Sequence, residues 1–353
     1  MSRFFNDSYA SLKPYTPGEQ PSNTGYNKLN TNESPFPPAP QVMNAVMNVR
    51  PLQLYSDPEC KELIKKIAEV YNVNEDQVIV SNGSDEILYF SFLAFGRCGA
   101  SFPDITYGFY PVFAEFTHTA YDEIPLNKDF KIDVRDYIGL NRAVFIANPN
   151  APTGLSLGTA DIERIIQGNP NNVVVIDEAY VDFGGKSCIK LIDKYENLLV
   201  VRTFSKSRSL AGARLGFAFG NPKLIQDLNT IRFSTNPYNV NSMTMAAGIA
   251  SLNAQEYTKD NCRQIIKNRE YTIKELTSLG FSVLPSDANF IFASHPEIEG
   301  AWLYRRLKER KILVRHFEHE RIKQYNRITI GSMEQMCSLI DELRSIIKED
   351  IKK

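Results

Sequence analysis

The sequence predicts an α/β protein: a mostly parallel sheet whose strands are joined by returning helices, followed by a smaller α+β unit. Two observations carry this. Between residues 78 and 219, short apolar runs of strand length alternate with helical stretches at the spacing of successive right-handed β-α-β crossovers. After a long helical stretch from Tyr257 to Leu279, stopped by Gly280, the pattern changes to short strands interleaved with two helices. A chain of 353 residues can hold both units, since a single core stops growing near about 250 to 300 residues.

Residues 1–39 are rich in Pro, Asn, Ser and Gly and lack a helical apolar period, so an arm with local turns is expected rather than a core element. A short helix follows over 40–49. Asp57 reads as an N-cap with Pro58 at the first helical position, opening a helix that runs to Tyr71. Val78–Val80 is a strand that ends in Ser81-Asn82-Gly83-Ser84-Asp85-Glu86, where the next helix begins with Ile87, Phe90 and Ala94 on one face. The free N–H groups at such a helix start suit a phosphate. The spacing is not G-x-G-x-x-G, so the turn gives little support to a dinucleotide.

Pro103–Gly108 leads into an aromatic-rich helix. Strands are then predicted over 143–147, 173–176, 198–201 and 215–219, with helices over 161–167, 189–195, 222–231 and 242–252. In the smaller unit, strands are expected over 281–284, 289–292, 312–315 and 327–330, and helices over 299–310 and 332–348. Ligands of parallel sheets gather outside the carboxyl ends of the strands. Gly83 to Glu86, Asn148 to Gly154, Asp177 and Lys206 should therefore open onto one edge.

Composition excludes several classes. Hydrophobic residues at 43%, charged residues at 23% and a net charge of -1 describe an ordinary globular chain, with no basic face to support nucleic-acid binding. No apolar run is long enough to span a bilayer. The first residues lack the basic region and apolar core of a secretory signal, so a cytoplasmic location is expected. Cys60, Cys98, Cys188, Cys262 and Cys337 are odd in number and scattered, the usage of reduced cysteines. His316 and His319 flank Glu318, but on an extended segment they point to opposite faces, and no metal is expected.

The chemistry centres on Lys206. A lysine beside small hydroxyl residues is ordinarily an exposed loop residue. Here the apolar run Leu198–Val201 precedes it and Arg214 follows eight residues later. In a dry pocket near other cations, such an amine loses its proton more readily and attacks carbonyl carbon. Asp177 ends the adjacent strand. The two are either a buried ion pair or opposite ends of a pyridoxal phosphate site. In the second reading Lys206 joins the cofactor's aldehyde and Asp177 pairs with the protonated pyridine nitrogen. Thr203, Ser205, Arg214 and the turn Ser84-Asp85-Glu86 then suit the cofactor phosphate, Tyr107 the ring face and Tyr180 the phenolic oxygen.

The motifs Asn82-Gly83-Ser84-Asp85-Glu86, Pro149-Asn150-Ala151-Pro152-Thr153-Gly154, Asp177-Glu178-Ala179-Tyr180 and Thr203-Phe204-Ser205-Lys206 through Arg214, in this order, resemble the fold-type I pyridoxal-phosphate aminotransferases. More closely, Leu12-Lys13-Pro14-Tyr15, Leu29-Asn30-Thr31-Asn32-Glu33, Tyr55-Ser56-Asp57-Pro58, Phe204 through Gly212 and Arg327-Ile328-Thr329-Ile330-Gly331 resemble the histidinol-phosphate aminotransferase family. The likeness covers essentially the whole chain.

That resemblance implies a large domain over 40–255 with a mostly parallel seven-stranded sheet sandwiched by helices. It implies a small α+β domain over 256–353 that includes the long linking helix, and an arm over 1–39 packed on the small domain and the substrate site. A homodimer is implied, with Tyr55 reaching the cofactor phosphate of the neighbouring subunit. Arg315 and Arg327 match positions that take the substrate's anion, either the phosphate of histidinol phosphate or the α-carboxylate of glutamate; a guanidinium fork suits both. Tyr15 and Asn32 match positions that close over the substrate.

The implied reaction is a ping-pong exchange of L-histidinol phosphate and 2-oxoglutarate with imidazole-acetol phosphate and L-glutamate, in histidine biosynthesis. Lys206 carries the proton. Threonine-phosphate decarboxylase and broad aromatic aminotransferases share the fold and the lysine, and stay open as alternatives. A non-catalytic cofactor-binding regulator would carry a DNA-binding extension, of which the sequence has no helix-turn-helix sign. One departure stands out: where the family often has Asn before Pro-Thr-Gly, this chain has Ala151. Tyr180 is then the sole side-chain donor to the phenolic oxygen, or Asn150 shifts to help.

Overall fold

A computed structural model describes residues 2–21 and 25–350. The arm supplies β1 (Asn27–Lys28), and α1 (Pro40–Met47) and α2 (Lys61–Tyr71) follow. Next come β2 (Val78–Ser81), α3 (Ser84–Phe95), β3 (Ala100–Pro103), α4 (Phe109–Phe116) and β4 (Tyr121–Ile124). The chain continues through β5 (Ala143–Ala147), α5 (Thr159–Gly168), β6 (Val174–Asp177), β7 (Leu198–Thr203) and β8 (Gly216–Gly220). Three helices follow: α6 (Pro222–Thr235), α7 (Ser242–Asn253) and α8 (Gln255–Ser278). The remainder is β9 (Ser282–Val283), β10 (Phe290–Ser294), α9 (Gly300–Glu309), β11 (Ile312–Leu313), β12 (Arg315–His316), β13 (Tyr325–Thr329) and α10 (Met333–Asp350).

Seven strands form the large sheet in the order β2-β8-β7-β6-β5-β3-β4. Strands β7, β6, β5, β3 and β4 run parallel, and β8 is antiparallel to both β7 and β2. β8 is reversed because β7 reaches it without a crossover helix, through the connection that carries Lys206. β5, β6 and β7 are buried along their whole length, and their uninterrupted Val, Ile and Leu runs follow from having both faces covered. One face packs on Leu63 and Ile67 of α2, Ile162 and Ile166 of α5 and Ala247 of α7. The other packs on Ile87 and Phe90 of α3 and Ile225 and Leu228 of α6.

The second sheet is antiparallel, in the order β12-β13-β10-β9, and its core joins Phe290 and Ile328 to Leu276 of α8, Leu307 of α9 and Leu339 of α10. Helix α8 ends as expected at Gly280, whose φ of 88° closes a double turn. The Phe281 N–H donates to Leu276 O at 3.0 Å and the Gly280 N–H to Thr277 O at 3.1 Å, which satisfies two orphan carbonyls.

The structure departs from the sequence reading in several places. The arm does enter a core: β1 pairs in parallel with β11, and Leu29 is 1% exposed among the small-sheet side chains. A two-residue strand has no periodicity to read. Helix α2 starts at Lys61 rather than Pro58, because Cys60 takes a φ of 51°. Asp57 caps from outside that turn, accepting from the N–H groups of Glu59 at 3.0 Å and Lys61 at 2.9 Å. Only a single 3-10 turn, Ile189–Leu191, replaces the helix expected over 189–195. The strand expected over 312–315 divides at Val314, so that β11 joins the arm and β12 joins β13. Strands β3 and β4 were not foreseen: Ser101 and Pro103 interrupt the first, and the second is a polar edge strand, Tyr121-Asp122-Glu123-Ile124.

Candidate functional site

At the carboxyl edge of the large sheet, the β2–α3 turn, the end of β6, the β7–β8 connection and the loop after β5 enclose a cavity of about 290 Å³. Nine residues selected from the sequence line it. Asp177, Tyr180 and Lys206 form its centre; Ser84, Asp85, Thr203, Ser205 and Arg214 form one end; Tyr107 covers a side.

Asp177 is 5% exposed. Its Oδ1 accepts the Ala179 N–H at 3.1 Å, and Tyr110 donates its hydroxyl to Oδ2 at 3.4 Å. No Lys, Arg or His pairs with it among the described residues. Burial therefore dominates and pushes its pKa up to about 7. Lys206 Nζ lies 5.6 Å from the Tyr180 ring centre and 3.5 Å from the Thr31 carbonyl oxygen, to which it donates. The Tyr180 hydroxyl accepts from Asn32 Nδ2 at 3.0 Å, which leaves its own proton free to donate into the cavity.

The opposite end suits an anion. The first N–H groups of α3 open there, and Arg214 Nη2 donates to Asp85 Oδ2 at 2.8 Å. Tyr107 donates to Asp85 Oδ1 at 2.6 Å; burial, then the neighbouring carboxylate, drives the phenol's pKa well above its ordinary value. Thr203 donates to Ser205 Oγ at 3.0 Å. Two glycines make room for this end. Gly83 takes a φ of 80°, and a Cβ on it would stand 2.6 Å from Arg214 Nη2; a Cβ on Gly216 would stand 2.3 Å from the Ser84 nitrogen.

The arm and the small sheet build the third wall. Two smaller cavities, of about 240 and 120 Å³, are both lined by Tyr15, Tyr107, Arg315 and Arg327, and the second also reaches Asn32, Tyr180 and Lys206. Tyr15 stacks on Phe109 with ring centres 4.1 Å apart. Arg327 donates to Asn30 O at 3.0 Å while its Nε has no partner, and burial lowers its pKa. Arg315 donates to the carbonyl oxygens of Thr16 at 3.1 Å and Pro17 at 3.4 Å. Asn32, at a φ of 56°, is fixed between Tyr180 and the Thr329 hydroxyl, which donates to its Oδ1 at 3.0 Å.

Two residues selected from the sequence lie elsewhere. Glu86 folds back on its own turn, accepting from the Ser81 hydroxyl, the Asn82 N–H at 2.8 Å and Asn239 Nδ2 at 2.6 Å. It braces the turn without lining the cavity. Tyr55 is 83% exposed and stacks on Tyr238 at 4.4 Å, away from the cavity of its own chain. Asn150 does not shift to replace an Asn at Ala151. Its Nδ2 donates to Ile105 O at 2.9 Å and Thr153 Oγ1 at 3.1 Å, and its Oδ1 accepts from Thr106 at 2.8 Å. Ala151 itself lines both the main cavity and the larger arginine cavity.

Sequence reasoning did not select Glu33, Tyr110 or Thr31. Glu33 lines the main cavity; burial raises its pKa, but hydrogen bonds from Lys28 and Thr31 outweigh that and hold it below the usual range. The polar run around Asn32 was the available signal for it. Tyr110 gave none, being one aromatic among several in α4.

The arrangement can hold a flat molecule with a cation at one end, an anion at the other and a carbonyl carbon near Lys206. Residues 24–343 match the family model for aminotransferases of class I and II. The chain is 49% identical over 353 residues to a histidinol-phosphate aminotransferase of Brachyspira hyodysenteriae, covering 99% of this chain and 100% of that one. It is 48% identical to the enzyme of the same name from Acinetobacter baumannii, over 98% of both chains. Among solved structures, histidinol-phosphate aminotransferase from Sinorhizobium meliloti in complex with pyridoxal-5'-phosphate superposes with a TM-score of 0.82 at 24% identity, covering 90% of this chain and 91% of that one. By sequence over nearly its whole length and by fold, the chain belongs to the class I and II aminotransferases.

Proposed function

We infer that the chain is a pyridoxal-phosphate-dependent aminotransferase that exchanges an amino group between L-histidinol phosphate and 2-oxoglutarate. Relatives of that activity match it from end to end. The observation in this chain that carries the reading is Asp177. A buried carboxylate whose pKa is raised to about 7, with no cationic side chain paired to it among the described residues, fits a cation delivered by a ligand. A protonated pyridine nitrogen is such a cation, and the Arg214 end fits the phosphate of the same molecule.

When bound, pyridoxal phosphate supplies an aldehyde carbon that takes up or releases an amine and a ring that withdraws electrons from it. Asp177 keeps the ring nitrogen protonated. Arg214, the hydroxyls of Thr203 and Ser205 and the N–H groups at the start of α3 hold the phosphate. Tyr180, oriented by Asn32, donates to the phenolic oxygen. Lys206 would be the amine that binds the aldehyde, and when free its Nζ would take the proton from the substrate's α-carbon. Arg327 and Arg315 take the substrate's phosphate or carboxylate, and Tyr15 covers it.

Glutamate formation from 2-oxoglutarate should be fastest with histidinol phosphate when that donor is compared with phenylalanine and threonine phosphate. A preference for phenylalanine, or release of carbon dioxide from threonine phosphate, would contradict the substrate assignment. Arg327→Lys should raise the KM for histidinol phosphate about ten- to a hundredfold, because an ammonium cannot present the guanidinium fork. An unchanged KM would remove Arg327 from the anion site.

Further parts of the reading rest on this one. A homodimer is supported by the exposed groove lined by Leu52, Leu54, Tyr55, Tyr238 and Met243, which has the character of a docking face. The chain divides into an arm over 1–39, a cofactor-binding domain over 40–255 and a small domain over 256–353. No helix among the described residues is long and apolar enough to cross a membrane, and a cytoplasmic biosynthetic role accords with that.

A further inference from the structure

We infer that Asp182 is a positioning residue for Lys206, a strut that ties the turn carrying Tyr180 to the loop carrying the lysine. This rests on the assignment of Lys206 as the anchoring amine. Asp182 lies two residues beyond Tyr180, in a 3-10 turn between the buried side chains of Val181 and Phe183. Its Oδ2 accepts the Ser207 hydroxyl at 2.5 Å, and its Oδ1 accepts from Arg202 Nη2. Both partners belong to the β7–β8 connection or its root, and each is 5% exposed. Arg202 is also held from the other side by Glu178, at 3.6 Å.

Lys206 is therefore fixed on both flanks. Ser205 before it is bonded to Thr203, and Ser207 after it is bonded to Asp182. The charged groups around the strut are Arg202, Arg208 and Glu178; the one facing Lys206 is Glu33, which lines the main cavity with it. Although the Asp182 side chain is 36% exposed, both its oxygens are engaged, Oδ1 by Arg202 of β7 and Oδ2 by Ser207 of the loop. Losing the Ser207 bond frees the backbone at Lys206 and changes where Nζ stands relative to Tyr180 and the substrate carbon. A misplacement on that scale costs about ten- to a hundredfold in rate.

The test uses the holoenzyme as wild type, Asp182→Asn, Asp182→Glu, Ser207→Ala and the double variant Asp182→Asn with Ser207→Ala. Four quantities are read: the pH midpoint of the visible band of the lysine-linked cofactor, kcat, the KM for glutamate and the melting temperature. Asp182→Asn should shift the midpoint and lower kcat about tenfold or more, with KM within about twofold. Ser207→Ala should do the same in smaller measure, the double variant should be no worse than Asp182→Asn, and Asp182→Glu should recover part of the loss. Ser207→Ala leaves Arg202 paired, so it carries the test if Asp182→Asn fails to fold. A wild-type midpoint and kcat in the variants, with only the melting temperature lowered, would overturn the inference, as would effects of the two substitutions that simply multiply. Wild-type protein without a lysine-linked band would instead overturn the assignment of Lys206.

Discussion

Lys206→Ala should lower steady-state turnover by at least about a thousandfold while leaving cofactor binding measurable. Among the residues lining the main cavity, Lys206 is the one primary amine, so nothing nearby can take over the proton transfer. The groups proposed to hold the cofactor at its two ends, Asp177 on one side and Arg214, Thr203 and Ser205 on the other, line the cavity apart from the lysine and stay in place without it. Binding and chemistry should therefore separate. Retention of the pyridoxamine form after gel filtration, together with a loss of glutamate formation, is the expected result. Substantial turnover in the variant would sink the role given to Lys206.

Asp177→Asn should act in opposite directions on activity and on the stability of the cofactor-free protein. Activity should fall about a hundredfold or more, because an amide cannot keep the ring nitrogen protonated. Stability follows from the sign of the pKa shift. Burial raises this carboxyl to about 7, above an unfolded value of about 4, so the folded apoprotein favours the protonated form. Its contribution to stability is fully present below pH about 4 and is lost as the pH rises through about 7. The asparagine has no such loss. The apo variant should thus gain on the apo wild type between pH 5 and pH 8, by an amount with an upper limit on the order of 3 kcal/mol. Urea unfolding at the two pH values measures this, and a difference between the proteins that does not change with pH would contradict it.

The large sheet was legible because its central strands are buried on both faces. Such strands read as unbroken apolar runs, and the residues that stop them, Asp177 and Thr203 to Lys206, are the polar groups at the working edge. The edge strands β3 and β4 lacked that signal, since one carries Pro and Ser and the other alternates charge with solvent exposure. The same logic holds at the site. Lys206, Asp177 and Arg214 stood out because their types are out of place beside apolar strands. Glu86 was grouped with them by adjacency, yet its carboxylate turns back to brace Asn82 and Asn239, a choice made by side-chain direction that spacing does not encode. The arm was misjudged for a related reason: Leu29 and two backbone-paired residues anchor it, and neither feature leaves a periodic trace. Asp182 was invisible in the sequence because its partners, Arg202 and Ser207, become neighbours only when β6 and β7 pair.

The central claim is that Lys206 forms a covalent link to pyridoxal phosphate. Borohydride reduction of the cofactor-loaded protein, followed by proteolysis and mass analysis, tests it most directly. The expected result is loss of the visible band and a cofactor-sized mass increase confined to the peptide that contains Lys206. A label on another lysine, or none on any peptide while the protein still turns over histidinol phosphate, would contradict it.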